Sequence, residues 1–135
     1  MRSAHLALFV AAISIAACGQ VEPVTMAVTM PDCVYQGQNQ MREGDVSVSL
    51  VLNGITQASV ILAELTGDHT YTELRETIES GLPTWASPVV EIELSSSDAL
   101  DGVARTVALR PGDYALVCVD DSGVRLATSM AVREG

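Results

Sequence analysis

Few side chains in this chain are able to do chemistry. Cysteines stand at 18, 33 and 118 and histidines at 5 and 69, while carboxylates gather at Asp68 beside His69, at Asp98 and Asp101, and at Asp120-Asp121. A serine or cysteine hydrolase needs a general base beside its nucleophile. Past the first turn of the chain His69 is the sole imidazole, and no serine lies in a Gly-x-Ser-x-Gly elbow. His69 is therefore expected as a solvated loop histidine. Thiol–disulfide exchange uses a C-x-x-C pair or one low-pKa cysteine, whereas Cys33 and Cys118 are far apart in sequence. Asp98, Asp101, Asp120 and Asp121 lack EF-hand spacing, so weak calcium binding competes with a plainer account as solvated acidic turns. P-loop and dinucleotide fingerprints are absent. The expectation is a protein that is not an enzyme, with no catalytic residue, no metal and no cofactor.

The N-terminal cysteine has a chemistry of its own. Arg2 and His5 precede an apolar run from Leu6 to Ala17, the length of a signal-peptide core and too short to span a bilayer. The run ends Ile15-Ala16-Ala17-Cys18-Gly19, which resembles the lipobox of bacterial lipoproteins. That resemblance implies cleavage after residue 17, diacylation of Cys18, and attachment to a membrane through the lipid. Gly19, not an acidic residue, implies the outer membrane, facing the periplasm, in a cell with two membranes. An ordinary secretory signal with an incidental cysteine is the competing account.

Residues 18–23 then form a short tether, able to hold the domain only ~20 Å from the headgroups, and residues 24–135 are enough for one domain with a modest core. The formal net charge is −10, with no lysine, which argues against nucleic acid and against a helix lying on anionic lipid. With Cys18 lipidated, Cys33 and Cys118 are left as an even pair in an oxidising compartment, and a disulfide is expected between them. Two separate buried thiols are the alternative.

The elements that must position these residues are mostly strands. In Arg110–Asp121, a Pro-Gly turn leads into Tyr114, Leu116 and Cys118 alternating with Ala115, Val117 and Val119. Apolar residues on both faces mark a central strand. Val24–Met30 and Val46–Leu52 alternate with polar residues and read as half-buried strands. Asn53-Gly54 reads as a hairpin turn returning through Ile55–Leu65. Thr70-x-x-Glu73 has the form of a capping box opening a helix over 71–80, with Tyr71, Leu74 and Ile78 as its apolar stripe and Glu73, Glu76 and Glu79 outward. Trp85 is expected to cap one end of the core. Val90–Leu94 and Val103–Leu109 are further strands. The last strand is expected to place Val124, Leu126, Thr128, Met130 and Val132 on one face and Arg125 and Arg133 on the other. Short strands with one helical excursion indicate a two-sheet β-sandwich.

Asp32-Cys33-x-Tyr35-x-Gly37, Glu43-Gly44-Asp45, Pro83-Thr84-Trp85 and Pro111-Gly112-Asp113-Tyr114-Ala115-Leu116-Val117-Cys118, in that order, resemble small bacterial lipoproteins with a cupredoxin-like domain. The resemblance implies an all-β, cupredoxin-like Greek-key β-sandwich with one short inserted helix. It also places Cys118 where cupredoxins carry the copper cysteine. The departures are as informative: Thr56-Gln57-Ala58-Ser59 occupies the place of the first copper histidine, and no histidine lies between Val119 and Met130. Met130, which could mimic an axial ligand, is expected in the core. An immunoglobulin-like sandwich is disfavoured because its tyrosine corner puts the tyrosine two residues before the cysteine, not four. Two functions follow. One is a membrane-anchored, non-catalytic binding or envelope module that meets a cationic protein or peptide through Glu73, Glu76, Glu79, Asp98 and Asp101. The other is a copper-handling or redox cupredoxin relative.

Overall fold

The computed structural model describes residues 23–55, 57–95 and 103–135. The chain runs β1 (Val24–Met30), β2 (Val34–Gln36), β3 (Gln40–Arg42), β4 (Gly44–Leu52), β5 (Gln57–Leu65), α1 (Tyr71–Thr77) extended by a 3-10 turn (Ile78–Ser80), β6 (Ala86–Ser95), β7 (Val103–Leu109), β8 (Gly112–Asp120) and β9 (Gly123–Arg133). The strands form two sheets, ordered β2-β1-β4-β7 and β3-β9-β8-β5-β6. This is the expected all-β sandwich with one short inserted helix, and β8 is indeed interior, between β5 and β9.

Register follows from the alternation of side chains. β1 and β4 pair in parallel with Met26 beside Val48, Val28 beside Leu50 and Met30 beside Leu52, so three rows of fully or nearly fully buried residues point together into the space between the sheets. Opposite them stand Val60, Leu62, Tyr114, Leu116 and Cys118 of the other sheet. The reverse face of the five-stranded sheet carries a second cluster, in which Ala63, Leu65, Ala115 and Val117 pack beneath Leu74 and Ile78. Tyr71 is half-buried beside them, so the helical stripe lies where the i, i+3, i+7 spacing puts it.

Asn53-Gly54 does not close a hairpin. Gly54 makes a turn at φ 79°, but β4 and β5 lie in different sheets. The reason is the patterning of the two strands. β4 has Ser47 and Ser49 on one face and tolerates an open side, whereas β5 is apolar on both faces, with Val60 and Leu62 on one and Ile61, Ala63 and Leu65 on the other. Only the sheet that α1 covers buries both.

The turn-rich segment after Cys33 also contains two strands too short to show periodicity, β2 in one sheet and β3 in the other. In β9, register shifts between Leu116↔Thr128 and Val117↔Leu126, which leaves Ala127 as an extra residue. A bulge of this kind exchanges the faces of a strand. Met130 and Val132 stay in the inter-sheet core, but Val124 and Leu126 join the helix-side cluster. Arg133 is exposed as expected. Arg125, expected on the outer face, is instead opposite Cys118 on the inter-sheet side.

The capping box is present in both directions. Thr70 Oγ1 accepts from the Glu73 N–H at 3.2 Å, and Glu73 Oε1 accepts from the Thr70 N–H at 3.2 Å. A seven-residue helix is too short to persist without its packing and caps. Thr70→Ala is therefore expected to cost about 1 kcal/mol. A lower melting temperature, with faster amide exchange confined to 71–80, is the result that checks it.

Candidate functional site

The end of the sandwich at Cys118 is where the resemblance places copper chemistry, and its geometry is that of a cross-link. Cys33 lies in the turn after β1 with φ 57°, a left-handed conformation that costs a non-glycine residue energy. Its sulfur is bonded to Cys118 with S–S 2.09 Å and Cα–Cα 6.1 Å. The bond joins the turn between β1 and β2 of one sheet to the middle strand of the other. Beside it, Arg125 Nη2 donates to Asp120 Oδ2 at 2.7 Å. The Asp120 side chain is 7% exposed and that of Arg125 38%, so the carboxylate is the buried member of the pair, and Arg125 Nε is buried without a partner among the described residues.

The remaining copper-type donors are elsewhere. Met130 faces Tyr114 across β8–β9 and is buried, as core. His69 follows the end of β5, where Leu65 pairs with Asp113, while Cys118 pairs with Val60. That separation along β8 is ~16 Å at about 3.3 Å per residue. Gln57–Ser59 does border the Cys118 end, lining a concavity with Glu93, Asp120 and Asp121; Thr56 lies outside the described residues. A type 1 copper site needs a thiolate and two imidazoles converging on one point. Here the sulfur is in a disulfide, a guanidinium stands opposite Cys118, and the histidine is at the other end of the strand. These residues do not fit the metal, and among the described residues no group of three or more His, Cys, Asp or Glu is placed to hold one.

The helix-side residues are more engaged than expected. His69 is not simply solvated: its ring stacks on Trp85 with centroids 4.2 Å apart and planes 12° from parallel, and Nδ1 lies 2.9 Å from Glu73 Oε2. The hydrogen bond to His69, with desolvation opposing it and the Thr70 N–H assisting, holds the Glu73 carboxyl below its ordinary range. Trp85 packs on the cluster beneath α1 and not at an end of the inter-sheet core. Of the expected partner contacts, Glu76 and Glu79 are exposed on the outer face, whereas Glu73 is occupied by His69 and the cap. Asp98, Asp101 and Cys18 lie outside the described residues.

One group escaped the sequence reading. Glu64 is 8% exposed at the end of the inter-sheet core, and Arg110 binds both its oxygens, Nε to Oε2 at 3.0 Å and Nη2 to Oε1 at 2.7 Å. Tyr114 Oη donates to the Arg110 carbonyl at 2.7 Å, fixing the backbone that carries the guanidinium. Hydrogen bonding to Arg110 draws the Glu64 carboxyl below its usual range against the opposing effect of burial. The available signal was a lone acid in Ile-Leu-Ala-Glu-Leu, in phase with Ala58, Val60 and Leu62.

The described residues therefore form a two-sheet scaffold in which the Cys118 sulfur is bonded to Cys33. In class, the chain is an all-β two-sheet sandwich with an inserted helix and a late cysteine on an interior strand, as the cupredoxin-like resemblance implies. No protein-family model matches the chain, and no curated protein matches it. Among solved structures, that of auracyanin B is similar over 84% of this chain and 91% of that chain, at 15% identity and a TM-score of 0.43.

Proposed function

We propose that this protein is an exported lipoprotein, anchored by diacylated Cys18, that serves as a non-catalytic binding module of the cell envelope and recognises a cationic protein or peptide. The observation that carries the reading is the state of Cys118. The sulfur that copper or redox work needs is bonded to Cys33 and holds the two sheets together, so its role is mechanical. What the scaffold offers to a partner is acidic: Glu76 and Glu79 outward on the helix, on a chain of formal net charge −10 without a lysine. Recognition on such a scaffold falls to exposed loops and the helix face, since strand positions are committed to packing. Electrostatic complementarity then sets the partner's sign and makes binding weaken as salt rises.

Two measurements test the two halves of this reading. Cys18→Ala is expected to leave the precursor uncleaved by the lipoprotein peptidase or to move the domain to the soluble fraction. Normal processing with unchanged membrane fractionation would sink the anchor. Crosslinking in intact cells is expected to capture a basic partner that is lost in the Glu76→Lys/Glu79→Lys protein. Capture of only acidic or neutral partners would sink the recognition proposal.

A further inference from the structure

A concavity of about 420 Å³ lies on the helix side of the five-stranded sheet, at the end away from the disulfide. Its floor is one row across three strands, Leu65 of β5, Asp113 of β8 and Ala131 of β9. One wall is Tyr71 at the start of α1, and the opposite wall is Asn39, where the chain crosses between β2 and β3. Asn39 is held in place, its Nδ2 donating to Thr128 Oγ1 and to the Ser129 carbonyl, the latter at 2.8 Å. That leaves its carbonyl oxygen as an acceptor.

Asp113 decides the chemistry. It is exposed at the centre of the floor, flanked in its row by two apolar side chains, and it takes part in none of the ion pairs among the described residues. No basic side chain lines the concavity. The nearby carboxylate that might have shared a cation, Glu64, is already neutralised by Arg110. The amino end of α1 already carries a counter-charge of its own, the Glu73 carboxylate of the capping box. Asp113 therefore presents an unanswered negative charge in a partly enclosed space, beside the ring of Tyr71 and a fixed amide acceptor. That is the complement of a planar cation: a carboxylate to pair with, an aromatic face to lie against, and an acceptor for a remaining N–H.

We propose that this concavity is a subsite for a single guanidinium side chain, the arginine of a cationic partner, with Asp113 as its counter-charge and Tyr71 as its stacking face. The proposal rests on the binding-module reading and gives it a location. It predicts a specific pocket contact in addition to the diffuse attraction of the helix acids.

The test uses the exported protein as cells make it, labelled for amide NMR and titrated with arginine amide and with citrulline amide, which keeps the side chain's shape and removes its charge. Saturable shifts at Leu65, Asp113 and Ala131 are expected with arginine amide, and binding of citrulline amide about tenfold weaker. Asp113→Asn should reduce arginine amide to the citrulline level without changing the melting temperature. Tyr71→Leu, a second and independent variant, should weaken it about threefold. Equal binding of both amides, shifts confined to other residues, or an unchanged affinity in both variants would overturn the subsite. N-acetylglucosamine moving the same resonances while arginine amide does not would overturn it in favour of a saccharide. In cells, a basic partner lost from the Glu76→Lys/Glu79→Lys protein but retained by Asp113→Asn removes the subsite and leaves the binding-module reading standing. Arginine amide binding as described, with no basic partner captured in cells, leaves the subsite standing and removes that reading.

Discussion

Reduced protein, or protein with Cys33 and Cys118 both replaced by alanine, is expected to be less stable than the oxidised form by about 4–5 kcal/mol. The sequence separation of the cysteines is 85 residues, so the bond removes a large loop's freedom from the unfolded chain. Within each sheet the strands are joined by ladders of backbone hydrogen bonds, whereas the two sheets face one another largely through packed side chains, so a covalent bond between them adds a different kind of link. A small domain commands roughly 5–15 kcal/mol in total, so this one bond is about a quarter or more of its margin. Denaturant unfolding with and without reductant measures the difference. Coincident midpoints, or two alkylatable thiols in the native protein, would contradict it.

The second large effect is at Glu64. Glu64→Gln is expected to lower stability at neutral pH by about 1–3 kcal/mol, less than the 3–5 typical of breaking a buried pair, because the Arg110 side chain is 76% exposed and keeps much of its hydration. The pH dependence has a definite sign. Hydrogen bonding to Arg110 holds the folded-state carboxyl below the ordinary range of a glutamate, so Glu64 contributes its full increment above that range and loses it as the pH falls through the lower, folded value. Wild-type protein should therefore lose this increment below about pH 5, while the Gln variant shows a shallower acid slope. The comparison must be made as a difference, since Glu73 is shifted in the same direction. Parallel acid slopes in the two proteins would mean that the Glu64–Arg110 pair is not a stabilising one. Replacing Glu64 and Arg110 together by methionine should recover most of the loss, because no charge is then left unpaired.

How far the sequence was legible can be judged from these residues. β1 and β4 were readable because each has one apolar and one polar face, so period two fixes both the element and its buried side. α1 was readable from a cap at Thr70 and a stripe at Leu74 and Ile78, two independent signals in agreement. The disulfide was readable because the lipobox-like setting of Cys18 sets that cysteine apart and leaves Cys33 and Cys118 as a pair. What was hidden depended on partners distant in the chain. Asn53-Gly54 is a local turn signal, but whether it closes a hairpin depends on which sheet can cover both faces of β5. The bulge at Ala127 has no composition of its own, yet it moves Val124 and Leu126 to another cluster and turns Arg125 inward. Glu64 looked like one more acid among many, and only Arg110, arriving 46 residues later, makes it a buried pair.

The Trp85–His69 stack has a practical consequence for measurement. The chain contains a single tryptophan, and it lies against the helix-side cluster with an imidazole on its face. Its fluorescence is therefore an intrinsic gauge of whether α1 and its leading loop are seated, while far-ultraviolet dichroism of so strand-rich a protein follows the sheets. If helix and sandwich melt as one unit, the two signals trace a single curve. If the helix lifts away first, the emission changes ahead of the dichroism, and the earlier curve gives the equilibrium between seated and undocked helix. The molecule thus carries, without any added label, the means to weigh α1 separately from the sandwich it packs on.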